Sequence, residues 1–69
     1  MIGDVSPRFA VAVPITGQDP SSYAIIVRVA AAIYSVGGSV ADVHEFVTEA
    51  QKGSFNHLLA TVGRWVNPQ

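Results

Sequence analysis

The chain has 69 residues, no cysteine and a net charge of −1, so it suits one small domain that no disulfide bond can stabilise. Only 13% of its residues are charged, against about a quarter in a typical soluble domain, while 49% are hydrophobic. We therefore expect a single domain over residues 1–69 that buries part of its surface in a homo-oligomer, with a different protein partner as the alternative.

The same composition argues against several functional classes. His44 and His57 are the only imidazoles, and without cysteines beside them they predict no metal site and no cofactor. Four Lys and Arg residues, scattered among five carboxylates, disfavour nucleic acid as a partner. The longest apolar stretch, Tyr23 to Val36, is too short for a membrane span. Since the first residues lack a secretory pattern, we expect a cytoplasmic protein without a membrane partner.

The chain begins with a predicted strand. Phe9 to Val13 alternates large and small apolar residues, which is typical of a strand with one buried face. Pro14 lacks an amide donor, and the residues that follow it form turns readily. A loop is therefore predicted from Pro14 to Asp19.

A helix is predicted next, over Tyr23 to Ser35. Asp19 is a candidate N-cap with Pro20 in the first turn, and Ser21 and Ser22 are alternative caps. The tyrosines at both ends of this helix are predicted to flank the core. Gly37-Gly38 is predicted to end the helix, because glycine tolerates the left-handed backbone that closes helices.

The remaining third of the chain has two interpretations. Residues 40–48 are rich in β-branched side chains, which favours a strand, yet Ser39 and Asp42 have capping-box spacing, which favours a helix. Residues 55–66 alternate well enough for a strand, while Ser54 is a suitable cap for an amphipathic helix. By periodicity alone a helix fits residues 40–48 slightly better, while the local pattern of residues 55–66 leaves both alternatives open.

Several motifs resemble the ACT family of small regulatory domains that bind amino acids. The resemblance lies in the order of the predicted elements, a strand followed by a helix, and in the spacing of the motifs that come after each element. The residues that carry it are Gly17-x-Asp19, Arg28-Val29-Ala30, Ile33, Gly37-x-Ser39-Val40-x-Asp42-Val43 and Gly53-x-Phe55.

The ACT resemblance implies a ligand between the first loop and the second strand, at a subunit interface. Transferred to this chain, the ligand-binding residues are Gly17, Gln18, Asp19, Gly38, Ser39 and Asp42. Amide groups at a helix start suit a carboxylate, and either aspartate suits an ammonium group. The implied function is a non-enzymatic module that senses an amino acid or similar small molecule.

A second resemblance is to the ribbon-helix-helix family of DNA-binding dimers. In both, a strand is followed by a helix and then by the start of a second helix. The strand motif here is Phe9-x-Val11-x-Val13-Pro14, and the second helix would open with Gly38-Ser39-Val40-x-Asp42-Val43. Of the residues that would face the DNA groove, only Arg8 is able to hydrogen-bond a base edge. A winged-helix regulator and a small assembly or inhibitor protein that acts by protein contact complete the alternatives.

The preferred fold is α+β, with one long helix packed on a small antiparallel sheet in the order β-α-β-β. The alternative is an N-terminal strand followed by three helices. No spacing of nucleophile, base and acid matches a catalytic signature, so we predict no catalytic residues and no enzymatic activity.

Overall fold

A computed structural model describes residues 7–15 and 21–69 of the chain. In these residues the chain forms three helices and two very short strands. Their order along the chain is β1 (Ala12–Val13), α1 (Ser22–Ser35), α2 (Val40–Ala50), α3 (Phe55–Trp65) and β2 (Asn67–Pro68). The preferred prediction of an antiparallel sheet in β-α-β-β order is therefore wrong.

Helix α1 has a polar start and a glycine end. The Ser21 hydroxyl caps it by accepting a hydrogen bond from the amide of Ala24, 3.2 Å away. At the other end the Gly38 amide donates to the Ile33 carbonyl and the Gly37 amide to the Tyr34 carbonyl. These two bonds form a Schellman motif, with Gly37 in the left-handed region at φ 93°.

Helix α2 occupies the segment that the preferred fold assigned to a strand. Ser39 and Asp42 form a capping box in which each side chain accepts from the other residue's amide at 3.0 Å. The cap fixes the helical period, and Phe46 and Ala50 then point into the core, four residues apart. Nucleation at Ser39 thus outweighs the β-branched composition.

Helix α3 likewise replaces the second predicted strand of this region. The Ser54 hydroxyl caps it by accepting from the His57 amide at 3.3 Å. Leu58, Val62 and Trp65 are buried along one face. After Trp65 the backbone becomes extended, with Val66 at φ −144° and ψ 178°.

The strand pairing is parallel and involves the chain end. Ala12 lies opposite Asn67 and Val13 opposite Pro68, so three helices separate the two strands in sequence. The predicted strand over Phe9 to Val13 is reduced to its last two residues. Two residues per strand form too small a sheet to serve as the platform that the preferred fold required.

One core joins all three helices and β1. Three aromatic rings meet in it: Phe9 stacks on Trp65 at 6.0 Å between centroids, and Phe46 meets Trp65 edge-on at 5.7 Å. The buried apolar residues are Val13, Ile25, Ile26, Val29, Ile33, Phe46, Ala50, Leu58, Val62, Trp65 and Val66. Within the described residues, no helix is long and apolar enough to cross a membrane.

Candidate functional site

The described half of the predicted ligand set lies at the turn between α1 and α2. Gly38, Ser39 and Asp42 are close together, but each is engaged within the chain. Gly38 is pressed against Ile33, because a Cβ added there would lie 2.8 Å from the Ile33 carbonyl oxygen. Ser39 and Asp42 bind each other through the capping box.

The other predicted ligand residues, Gly17, Gln18 and Asp19, lie outside the described residues. Whether the loop and the α1–α2 turn form one site is therefore not tested, and the ligand site stays a prediction. In the described half, the polar groups that the prediction assigned to a ligand already have hydrogen-bond partners within the chain.

Asp42 is further held by a cation from the N-terminal segment. Its Oδ1 lies 3.1 Å from Nη2 of Arg8, and the same guanidinium reaches Glu45 at 3.1 Å and stacks 4.3 Å from the Trp65 ring centroid. Hydrogen bonds from the Ser39 backbone and side chain, followed by the charge of Arg8, lower the pKa of Asp42. Arg8 thus joins the N-terminal segment to α2 and α3.

A second polar cluster surrounds Glu49 at the junction of α2 and α3. Its carboxylate lies 3.5 Å from Lys52 Nζ, 3.6 Å from His57 Nε2 and 3.7 Å from Arg64 Nη2. The His57 ring also reaches the backbone carbonyl of Glu49 at 2.9 Å. Sequence reasoning did not single out this cluster, because its members are brought together by the packing of two helices.

The Glu49 cluster lacks the geometry of a catalytic triad. In a triad the two imidazole nitrogens serve different partners, the nucleophile on one side and the acid on the other. Here the same nitrogen, Nε2, faces both Glu49 and Thr61. Thr61 is also fully buried and donates its hydroxyl hydrogen to the His57 carbonyl at 2.8 Å. The contacts of the cluster connect α2 to α3.

A shallow depression of about 690 Å³ follows the outer side of α2. Its lining residues within the described part of the chain come from α2 and the turn after it, so none of the other described elements forms an opposite wall. They are Val40, Ala41, His44, Glu45, Thr48, Glu49 and Lys52. A depression along one helix is a weak candidate for a small-molecule site, since such sites are concave and enclose their ligands.

The basic side chains are largely paired with acids. Arg8 binds Asp42 and Glu45, while Lys52 and Arg64 share Glu49. Arg28 is the remaining cation of the chain, and its Nη1 is buried without a hydrogen-bond partner. Three of the four Lys and Arg side chains are thus paired with carboxylates in the described part of the chain.

The outer face of α1 is apolar and exposed. Tyr23 is 78% exposed, Val27 47% and Tyr34 49%, contrary to the prediction that the tyrosines flank the core. With Ala30 they repeat at intervals of four, three and four residues, the spacing of a helix-pairing seam. Arg28 is the only charged residue on α1.

The sequence of α1 did indicate an unusual helix, because apolar residues occur on all of its sides. A helix that is apolar on all sides is normally buried on all sides. The core takes one side of α1, through Ile25, Ile26, Val29 and Ile33, and leaves the tyrosine side uncovered. Only the position of α1 on the outside of the fold shows which apolar side lacks a partner.

Comparisons with protein-family models, with curated proteins and with solved structures found no match to this chain.

Proposed function

We propose that this chain is a small self-assembling module whose role is carried by protein contact rather than by catalysis. The observation that carries the proposal is the apolar outer face of α1, named here the α1 face, which consists of the exposed Tyr23, Val27 and Tyr34 together with the half-buried Ala30. A large exposed apolar patch on a small domain is typical of an interaction site.

The composition supports the same proposal. Only 13% of the residues are charged, so electrostatic repulsion between copies of the chain is weak and does little to oppose association. The Arg8 and Glu49 ion-pair clusters use most of those charges to join elements within the fold. The α1 face is thereby left without a charge to oppose association.

The experiment is sedimentation equilibrium on the wild type and two matched variants. Val27→Lys places a charge on the α1 face, and Leu59→Lys places one at a similarly exposed apolar position on α3, 40% against 47% exposed. Both substitutions insert a good helix former at an exposed helical site, so helix content by circular dichroism should be retained.

We expect the wild type and Leu59→Lys to associate reversibly and Val27→Lys to stay monomeric. Because small interfaces are commonly weak, the measurement extends to about 500 μM protein. A wild type that is monomeric over the whole range would overturn the proposal. Association that survives in Val27→Lys would overturn it as well, because the contact would then lie elsewhere.

A further inference from the structure

The order of side chains on the α1 face is the same in both directions along the helix, apart from one size difference at its centre. Tyr23 and Tyr34 end the face, and Val27 and Ala30 lie between them, so the positions are symmetric about the midpoint of residues 28 and 29. In an antiparallel two-fold pair centred on that midpoint, residue i meets residue j of the other copy while j meets i, so tyrosine meets tyrosine at both ends and valine meets alanine between them.

We infer that the α1 face pairs with the same face of a second copy, with the two helices antiparallel and Tyr23 against Tyr34 of the other copy. This inference rests on the proposed self-assembly. It specifies which face of the second copy is contacted, how the two helices are oriented and which residues lie opposite each other. In this register each Val27 lies opposite Ala30 of the other helix.

Packing favours the antiparallel register over the parallel one. In a parallel pair Val27 would meet Val27 and Ala30 would meet Ala30, so one layer would be crowded and the next underfilled. In the antiparallel pair both central layers combine one valine with one alanine, and large residues opposite small ones fill space evenly. Opposed helix dipoles add a small favourable term.

The flanks of the α1 face permit close approach. Ala24 and Ala31 lie beside the seam, and the single charge of the helix, Arg28, is displaced from it toward the side. Small side chains at such positions allow helix axes to approach closely. The tyrosine rings then cover the two ends of the contact, with their hydroxyl groups reaching the solvent at the rim.

The area involved suits a weak, reversible dimer. At 78% and 49% exposure the two tyrosines present roughly 250 Å² per copy, taking about 200 Å² for a whole ring side chain. Two copies would therefore bury at most about 500 Å² from tyrosine, and Val27 with the alanines adds less than that. The total is below the roughly 1,200 Å² of ordinary specific interfaces, in the range of weak, transient contacts.

Nuclear magnetic resonance on the wild type tests this inference without altering the interface. Within one helix Tyr23 and Tyr34 are separated by eleven residues, about 16 Å along the axis, too far for a nuclear Overhauser effect. A 1:1 mixture of isotope-labelled and unlabelled chains at about 500 μM is examined by isotope-filtered spectroscopy. We expect cross-peaks between Tyr23 and Tyr34 ring protons, and between Val27 and Ala30 methyl groups, of different copies.

The outcomes separate the inference from the proposed function. Cross-peaks that link Tyr23 to Tyr23, or Val27 to Val27, would show a parallel pair and overturn the inference while self-assembly stands. Intermolecular cross-peaks confined to residues outside the α1 face, in a protein that sediments as an oligomer, would overturn both the inference and the role of this face in the proposed function. A monomeric wild type would overturn both. Val27→Lys is the matched control, in which the expected cross-peaks are lost.

Discussion

At the turn between α1 and α2, the two consecutive glycines are needed for different reasons. Gly37 has a φ of 93°, where side chains are strained, although the space around it is open. Gly38 has an ordinary φ, but a Cβ added there would lie 2.3 Å from Ile33 Cγ2 and 2.8 Å from the Ile33 carbonyl oxygen. Ile33 is fully buried, so it has little room to move.

We therefore predict that Gly38→Ala lowers the free energy of unfolding by about 1–3 kcal/mol, as overpacking in a core does. Gly63→Ala is the matched control, because Gly63 lies inside α3 and nothing lies within 4 Å of its added Cβ. That control should gain about 0.5–1 kcal/mol of stability. Urea unfolding measures both, and equal effects of the two substitutions would contradict this account.

Asp42 gives the fold a pH dependence whose direction follows from its pKa. The hydrogen bonds from Ser39 and the charge of Arg8 stabilise the carboxylate, so its pKa in the folded protein lies below the ordinary 3.8. The stabilisation is fully present above the ordinary value. It is lost as the pH falls through the lower folded value, where the carboxylate of the native state takes up its proton.

We predict that Asp42→Asn is less stable than the wild type at pH 7, and that the two converge as the pH falls below 3.8. Urea unfolding at a series of pH values gives the difference. Glu45→Gln should change stability much less at pH 7, because the Glu45 side chain is 61% exposed and its ion pair with Arg8 is screened by water. A difference between wild type and Asp42→Asn that persists at the lowest pH would show that charge is not its cause.

At the scale of the elements, β2 and the residue that follows it are held to the N-terminal segment by two backbone hydrogen bonds. The Asn67 amide donates to Val11 and the Gln69 amide to Val13, at 2.9 and 2.8 Å. Pro68 lies between these two donors, so its missing amide hydrogen breaks neither bond. Proline is thus compatible with position 68, whereas at position 67 or 69 it would remove a hydrogen-bond donor.

We predict that Asn67→Pro lowers the free energy of unfolding by about 1–3 kcal/mol, because the Val11 carbonyl loses its donor. Pro68→Ala, the matched control, should change stability by less than about 1 kcal/mol. Thermal unfolding followed by circular dichroism compares the two. If Pro68→Ala were the more harmful change, the described register of the strands would be wrong.

At the scale of the whole molecule, the stability of the core depends on the aromatic contacts among Phe9, Phe46 and Trp65. Phe46 is fully buried against Trp65 and joins α2 to α3. Truncating such a side chain costs about 3–5 kcal/mol, which equals what the core of a small domain usually supplies.

Phe46→Ala is therefore predicted to leave the protein largely unfolded at 25 °C. Val40→Ala, which removes an apolar side chain that is 70% exposed, is predicted to keep the wild-type fold. Far-UV circular dichroism and heteronuclear NMR spectra distinguish the two results. A folded Phe46→Ala protein with native stability would show that the core does not depend on this ring.

The three helices and their ends could be predicted in part from local residues. Ser39 with Asp42, Ser54 and the Gly37-Gly38 pair mark boundaries that the structure shows, because caps act within one turn of chain. The preferred fold was nevertheless wrong, because it followed the ACT resemblance, in which residues 40–48 form a strand, whereas the capping box of Ser39 and Asp42 begins a helix there. Two-residue strands are too short to leave a periodic pattern, so the parallel pairing was not predictable.

From the amino-acid sequence alone it follows that the chain is cysteine-free and weakly charged and that its first helical segment is unusually apolar, because these properties are sums over residues. The three-dimensional packing decided which side of α1 is buried and which is exposed. It also brought Arg8 to Asp42 and His57 to Glu49, contacts that depend on where each helix lies. Periodicity identifies apolar faces, but only the arrangement of the elements shows which of them the described residues leave uncovered.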